Sequence, residues 1–340
     1  MIPHTIYGIN NIYSTNKFLD EKSYNNNILE NMIKSSNIHK KVRIDLYQKI
    51  KPKMKLFDIA YTIEESIKKY SCDQLNNGIG FPVGLSINNC AAHDTVHTDT
   101  TTILQADDLL KIDFGVHHNG YITDSAFTIS FSDKYQDFQR ASLDSTNFGI
   151  NNLKLDMFIG DWSELVQEYV SSKEVNINNK IYPLKTIKDL TGHNILPYQI
   201  HGGKFLPSFR FASYNQKITP GIWAVEIFVT NGSGQVYYDN DNITHYSLKN
   251  ITNNPQLKIN KVNKFYQYIK KTFKTLPFCD KWLANHPGYQ TSLKILNKNN
   301  LIESYPPIYD TDKSSFVSQF EHTIYLDENH KINLSKGLDY

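Results

Sequence analysis

Two aspartates, Asp113 and Asp124, lie on either side of a predicted β-hairpin turn. Apolar residues alternate with Asp113 as in a half-buried strand, and Asn-Gly at 119–120 is a strong signal for a two-residue turn. A loop of His118 and Asn119 would place the aspartates directly opposite each other, whereas a loop of Asn119 and Gly120 would make them diagonal neighbours. Either register puts both carboxylates on one face of the hairpin, about 4.5–8 Å apart at their Cβ atoms.

Two carboxylates at this separation repel each other unless a proton or a cation lies between them. A pair of divalent ions is the strongest form of such a cation, and it would make the hairpin part of a hydrolytic metal site. The alternative is that both aspartates face solvent beside a turn. The hairpin by itself leaves both interpretations open.

Four further side chains could complete such a site. Glu226 lies in an almost unbroken apolar run, where a carboxylate is rare unless it is paired or bound to metal. Glu321 lies in an alternating segment, His193 follows Thr-Gly in a predicted turn, and His201 precedes Gly-Gly. Each of them alone has an ordinary explanation, as an edge glutamate or a surface histidine. Together, carboxylates and histidine suit Mn, Co, Fe or Zn in a dinuclear arrangement, and neither HExxH nor a cysteine-based zinc spacing occurs.

The elements that must position these residues change character along the chain. Ile59, Ile63 and Ile67 are spaced for one face of a helix, whereas the segments around the aspartates and glutamates alternate as strands do. A polar stretch rich in Lys and Asn follows, with helical spacing of its aromatic residues. We predict an N-terminal helical region, a catalytic core, an inserted helical subdomain and a final set of core strands, at residues 1–75, 76–246, 247–304 and 305–340.

The composition argues against several kinds of partner. Lys and Arg total 36 against 34 Asp and Glu, so the net charge of +2 gives no reason to expect nucleic acid or an anionic membrane. We interpret the basic stretch at residues 39–43 as the solvated face of a helix.

An odd number of cysteines, three, favours a reducing compartment, and no apolar run reaches the roughly 18 residues of a membrane helix. Because residues 1–4 do not begin a signal peptide, we expect a soluble cytoplasmic protein.

The motifs around the candidate residues resemble those of the type 2 methionine aminopeptidases. The resemblance runs from about residue 25 to Tyr340, and it implies an α+β fold, the pita-bread (creatinase/aminopeptidase) fold with an inserted helical subdomain. Residues 247–304 fall where type 2 members carry that insertion, and Tyr-Pro-Pro at 305–307 also fits type 2. The segments that carry the resemblance are residues 81–93, 111–115, 123–124, 192–193, 200–201, 225–226 and 319–323.

The resemblance implies a metalloaminopeptidase that removes the initiator methionine from nascent proteins. Two divalent ions (Co, Mn, Fe or Zn) would lower the pKa of an attacking water. Glu226 would also act as general base, His201 would hydrogen-bond the scissile amide, and His93 would contact the substrate near the leaving nitrogen. The implied metal ligands are Asp113, Asp124, His193, Glu226 and Glu321. We assign the apolar slot for the methionine side chain to Phe81, Ile200 and Phe228.

The implied partner is the N-terminal methionine of a nascent polypeptide, bound by a monomer that needs neither nucleic acid nor membrane. The resemblance does not extend to the long, highly charged N-terminal extension of many eukaryotic members, so it leaves ribosome association open. Two local departures are also present. Ile195-Leu196-Pro197-Tyr198 is unusual between the two histidines, and Lys53 stands where the family commonly has glycine.

Three other interpretations explain less of the sequence. A proline-specific aminopeptidase or dipeptidase shares the fold and metals, but it typically carries an extra N-terminal domain that residues 1–75 are too few to supply. A catalytically inactive, RNA-binding relative would require broken ligands, whereas all five are present in the sequence. A structural α/β domain with coincidental acidic residues would not explain five ligands and two histidines at matching positions.

Overall fold

The computed structural model describes residues 27–72, 76–210, 215–249, 255 and 257–340. Predictions for the remaining residues, which include the absence of a signal peptide at residues 1–4, lie outside the described residues. None of the helices in the described ranges is both long and apolar enough to cross a bilayer. The α-helices of these ranges are α1 Asn27–Lys49, α2 Leu56–Ser71, α3 Gln136–Asn152, α4 Ile159–Ser171, α5 Asn260–Thr272 and α6 Tyr289–Lys298, with 3₁₀ turns at Asp133–Tyr135 and Asp280–Leu283.

Most of the strands in the described ranges are short, and five of them span nine or more residues. The strands are β1 Asn77–Ile87, β2 Cys90–Ala92, β3 Leu110–His118, β4 Tyr121–Ile129, β5 Glu174–Ile177, β6 Lys180–Pro183, β7 Lys185–Thr186, β8 Thr191–Ile195, β9 Phe205–Pro207, β10 Gly221–Thr230, β11 Val236–Tyr238, β12 His245–Leu248, β13 Phe278–Cys279, β14 Ile302–Tyr305, β15 Ile308–Asp310, β16 Val317–Leu326 and β17 Lys331–Asn333.

Two antiparallel sheets form the centre of the fold. The first has the order β1-β3-β4, and the second has the order β17-β16-β10-β8-β9, with β7 paired to β10. Helices α1 and α2 cover the first sheet, and α3 and α4 cover the second. Ile59, Ile63 and Ile67 of α2 are fully buried against the first sheet, which confirms the helical face predicted from their spacing. The mixed α+β architecture predicted from the sequence is therefore confirmed.

Side-chain hydroxyls join the two sheets where β4 meets β16. The Thr323 hydroxyl accepts a hydrogen bond from the Asp124 amide at 2.8 Å and donates one to the Asp124 carbonyl at 2.6 Å. The Ser125 hydroxyl donates to the Glu321 carbonyl at 2.6 Å. Because each buried backbone group is satisfied by the other sheet, the pairing fixes Asp124 and Glu321 as neighbours across the junction.

Residues 245–305 contain a small sheet of order β13-β12-β14, on which α5 and α6 pack. This layer has its own apolar core, which includes Phe265, Tyr266 and Leu296. It is tied to α2 by a buried ion pair in which Lys281 Nζ lies 2.7 Å from Glu64 Oε1. The ion pair fixes the layer beside the first sheet, on the side where Pro277 enters the cavity described below.

The prediction for residues 39–43 is wrong, because His39 and Arg43 are fully buried and Lys40 is 3% exposed. Arg43 donates to both carboxylate oxygens of Asp339, at 2.6 and 2.9 Å, and the His39 ring stacks on Phe114 at 3.9 Å. Helix α1 is thus covered on its basic side by a segment almost three hundred residues further along the chain. A local pattern of charge carries no information about such a distant partner.

Candidate active site

The hairpin of β3 and β4 turns at Asn119 and Gly120, both of which have left-handed backbone angles (φ +51° and +83°). In the resulting register Asp124 lies opposite Gly115, and Asp113 lies opposite Ala126. The two aspartates are therefore diagonal neighbours on one face. This is one of the two registers that the sequence allowed, and the prediction that both carboxylates share a face is confirmed.

Strand pairing in the second sheet places the other acidic residues. Glu226 of β10 lies directly opposite Glu321 of β16. His193 of β8 lies opposite Ala224, two residues before Glu226 and therefore on the same face as that glutamate. The junction of β4 with β16 then brings Asp124 to this group, with its Oδ2 atom 3.5 Å from His193 Nε2. Five strands of the two sheets, β3, β4, β8, β10 and β16, thus deliver one candidate ligand each.

Gln319 is a site residue that the sequence reasoning missed. Its side-chain amide donates to Glu226 Oε2 at 3.1 Å and to Asp113 Oδ2 at 3.4 Å, so it holds one oxygen of each carboxylate. A signal for it was present in the sequence, since it precedes Glu321 by two residues on the same strand and therefore shares its face. Gln319 fixes the orientation of two acidic side chains that would otherwise repel each other.

Burial dominates the electrostatics of the acidic cluster. It raises the pKa of Asp113 to about 6. Burial, followed by repulsion from neighbouring carboxylates, also raises the pKa values of Asp124, Glu226 and Glu321 well above their ordinary values. A cation bound among these carboxylates would offset their mutual repulsion, so cation binding competes with protonation of the cluster.

The cluster fits divalent cations. Asp113 Oδ1 is buried without a hydrogen-bond partner among the described residues. Apart from the neighbouring carboxylate of Asp124, no group in the described ranges donates to either oxygen of Glu321. One donor atom each from Asp124, His193 and Glu321 lies within 4.8 Å of the other two. Converging oxygen and imidazole ligands with unused lone pairs are the donor set that Mn, Co, Fe or Zn accepts.

The histidines stand beside the acidic cluster as neutral imidazoles. Burial lowers the pKa of both His93 and His201 to about 4, and it also lowers the pKa of His193 well below its ordinary value. The His201 ring meets the edge of the His193 ring at 4.6 Å, and Tyr305 lies 5.6 Å from His93 and 6.0 Å from His201. A neutral imidazole can accept a metal on one nitrogen or donate a hydrogen bond to a substrate from the other.

One cavity of about 440 Å³ is lined by all ten residues that the sequence singled out. Phe81 and Ile200 belong to one apolar cluster, whereas Phe228 packs in another with Ala92 and Leu190, so the predicted slot residues come from two separate clusters that both reach the cavity. Sequence reasoning missed several lining residues, and Tyr305 was quoted only as a mark of the family. The lining residues that it did not assign to the site include Ala92, Leu190, His245, Pro277, Tyr305 and Ile308.

The comparison with known families decides the identity of this arrangement. The model of metallopeptidase family M24 matches residues 30–244. The protein named Methionine aminopeptidase 2-1 of Fusarium vanettenii is 37% identical over 344 residues, which cover 97% of this chain and 76% of that protein. The chain belongs to the type 2 methionine aminopeptidases of family M24. Membership in a metallopeptidase family also indicates a divalent metal as the cofactor of this M24 peptidase.

Solved structures show the fold of this M24 peptidase. A structure of a thermophilic Arx1 matches with a TM-score of 0.75 at 19% identity, over 92% of this chain and 91% of that one. The methionine aminopeptidase of Thermotoga maritima matches with a TM-score of 0.63 at 17% identity, over 92% of this chain and 98% of that one. At these identities the likeness concerns the fold alone, and the pita-bread fold predicted from the sequence is confirmed.

Proposed function

We propose that this M24 peptidase removes the initiator methionine from newly made proteins, with two divalent ions held by five side chains. The observation that carries the proposal is the convergence of buried carboxylates and one imidazole on the floor of a cavity with apolar walls. The proposed ligands are Asp113, Asp124, His193, Glu226 and Glu321, and the candidate metals are Co, Mn, Fe and Zn.

The ions, when bound, supply a water of lowered pKa near neutral pH. Glu226 accepts the proton from the attacking water, while Gln319 holds its other oxygen. His201, neutral because it is buried, donates a hydrogen bond to the scissile amide as negative charge develops on the amide oxygen. His93 contacts the substrate near the leaving nitrogen. Glu226, His201 and His93 all line the cavity in which the substrate would bind.

The methionine side chain enters between the two apolar walls. Phe81 and Ile200 line one wall and Phe228 lines the other, so an unbranched thioether can be covered on both sides. A charged side chain between these walls would lose its hydration, because Phe81, Ile200 and Phe228 offer it no ion-pair partner. The slot therefore selects for an apolar first residue of the substrate.

The competing functions lack this support. An inactive RNA-binding relative would lack ligands, whereas the five candidates all line one cavity, and Asp124, His193 and Glu321 converge within it. A proline-specific enzyme is not favoured, because the curated relative that covers 97% of the chain bears the name of a methionine aminopeptidase. We also propose that residues 247–304 form an inserted subdomain between the two parts of the catalytic core, residues 76–246 and 305–340, and that the enzyme is a cytoplasmic monomer.

Metal dependence of peptide hydrolysis tests the proposal. We expect chelated protein, shown to be metal-free by elemental analysis, to lose turnover of a Met-Ala-Ser peptide, and added Mn or Co to restore it. Lys-Ala-Ser should be cleaved at less than about 1% of the rate, because a buried charge costs several kcal/mol more than one methylene does. Full activity without metal would contradict the metal assignment, and equal cleavage of the two peptides would contradict the slot.

A further inference from the structure

The loop between the two site histidines is fixed differently at its two ends. Strand β8, which ends at Ile195, pairs on one side with β10 and on the other with β9, and His193 lies within both pairings. Residues 196–201 pair with no strand in the part of the chain that the structure describes, and they turn back on themselves through a bridge between Leu196 and Gln199. His193 is therefore held by the sheet. The Gly202 amide donates to the Asn194 carbonyl at 2.7 Å and anchors the end of the turn, and between these two points the placement of Ile200 and His201 depends on how the turn is docked.

Tyr198, at the tip of this turn, docks it on the β3–β4 hairpin. The Tyr198 amide donates to the Gly120 carbonyl at 2.7 Å. A Cβ atom at Gly120 would overlap the Tyr198 ring, so the ring lies flush against the hairpin turn. The ring of His117, on β3, lies 5.9 Å from that of Tyr198. One residue thus connects the turn to the hairpin that carries Asp113 and Asp124.

The same residue is contacted from the other side by the segment that follows α5. The Thr275 hydroxyl donates to the Tyr198 carbonyl, and Lys274 Nζ lies 4.3 Å from the centre of the Tyr198 ring. The next two residues of this segment reach the site, since Leu276 packs in the same apolar cluster as Ile200, and Pro277 lines the cavity. Tyr198 is therefore held between the hairpin and the layer of α5 and α6, and it adopts a left-handed backbone (φ +59°).

We propose that Tyr198 is a positioning residue that sets the placement of Ile200 in the methionine slot and of His201 beside the scissile bond. The proposal rests on the proposed function for the roles of those two residues. Tyr198 acts only through its neighbours, because it does not line the cavity. Since His193 is fixed by strand pairing, loss of Tyr198 should disturb catalysis and selectivity while leaving metal binding intact.

Three variants test this role. In Tyr198→Ala the ring is lost, in Tyr198→Phe it is kept, and in Thr275→Val only the hydroxyl that bonds the Tyr198 carbonyl is removed. Tyr61→Ala, which removes an exposed tyrosine from α2, is the matched control. The readouts are kcat and KM for Met-Ala-Ser, the ratio of kcat/KM for Met-Ala-Ser to that for Val-Ala-Ser, and the Mn dissociation constant.

We expect Tyr198→Ala to lower kcat and the selectivity ratio by about 10-fold each, since small misplacements of catalytic groups are costly. Thr275→Val should change both in the same direction by about 3-fold, as expected for one lost hydrogen bond. Tyr198→Phe and Tyr61→Ala should match the wild type, and the Mn dissociation constant should stay within about 2-fold in every variant, well below the 10-fold that corresponds to 1.4 kcal/mol.

Two outcomes would overturn the inference. One is unchanged selectivity in both Tyr198→Ala and Thr275→Val, and the other is a loss of Mn affinity that parallels the loss of activity, which would indicate a general structural role. If Tyr198→Ala does not fold, Thr275→Val decides. A wild type that cleaves no Met-Ala-Ser would instead overturn the proposed function, so the two failures are distinguishable.

Discussion

Replacing Glu226 by glutamine is expected to lower kcat for Met-Ala-Ser by at least about 100-fold, because the change removes both a negative ligand and the proton acceptor. The two carboxylate oxygens of Glu226 have different surroundings. Gln319 occupies its Oε2 atom at 3.1 Å, whereas Oε1 faces the site, 3.9 Å from His193 Nε2. Steady-state kinetics in excess Mn, together with the bound metal content of the variant, would measure the effect.

The matched control for this variant is Glu174→Gln, which removes the same charge from an exposed position on β5. Its kcat should equal that of the wild type. If Glu226→Gln kept more than a tenth of the wild-type kcat with its metal content unchanged, Glu226 would not be the base. A fall in kcat that disappears on addition of more metal would assign Glu226 to metal binding alone.

Replacing His201 by alanine is expected to lower kcat by about 100-fold while changing KM little, because its hydrogen bond strengthens only as charge develops in the transition state. The prediction relies on a neutral imidazole, and burial lowers the pKa of His201 to about 4. A histidine that is neutral across the working range should add no step to the pH profile between pH 5 and 8.

The matched control is His286→Ala, because His286 packs on Tyr268 in the layer of α5 and α6. The kcat and KM values of the two variants should be measured side by side. The role assigned to His201 would be wrong if kcat were unchanged and substrate binding became much weaker. That result would make His201 a ground-state binding residue.

Local patterns predicted the parts of the site that depend on one or two elements. The parity of Asp113 and Asp124 follows from the two-residue period of a strand and from the Asn-Gly turn, so their shared face could be foreseen. Glu226 stood out because a carboxylate within an apolar run needs a buried partner. The exact pairing of Glu226 with Glu321 could not be foreseen, since about ninety residues separate the two strands.

The sequence reasoning failed where a contact joins distant segments without a local pattern. Gln319 is one uncharged residue in an alternating strand, and only the junction of β4 with β16 shows that it contacts two carboxylates. Arg43 was interpreted as solvated because its partner, Asp339, lies at the other end of the chain. Tyr305 and His245 reach the cavity from the small sheet of β12, β13 and β14, whose packing on the core has no signal in composition.

The melting temperature of Asp113→Asn tests most directly whether the acidic cluster is a metal site. Without metal, the change removes one of several carboxylates that repel each other. Repulsion within one such pair destabilises the folded protein by roughly 0.2–1 kcal/mol. With metal, ions that bind only the folded chain stabilise it by about 2.7 kcal/mol at a hundredfold excess over Kd. Loss of a ligand must weaken that stabilisation.

Thermal melts of the wild type, Asp113→Asn and the exposed control Asp241→Asn should be recorded in chelator and in excess Mn. We predict that Asp113→Asn melts at or slightly above the wild-type temperature in chelator and clearly below it in Mn, while Asp241→Asn follows the wild type under both conditions. If Mn raised the melting temperatures of wild type and Asp113→Asn equally, Asp113 would not be a ligand and the proposed dinuclear site would be contradicted.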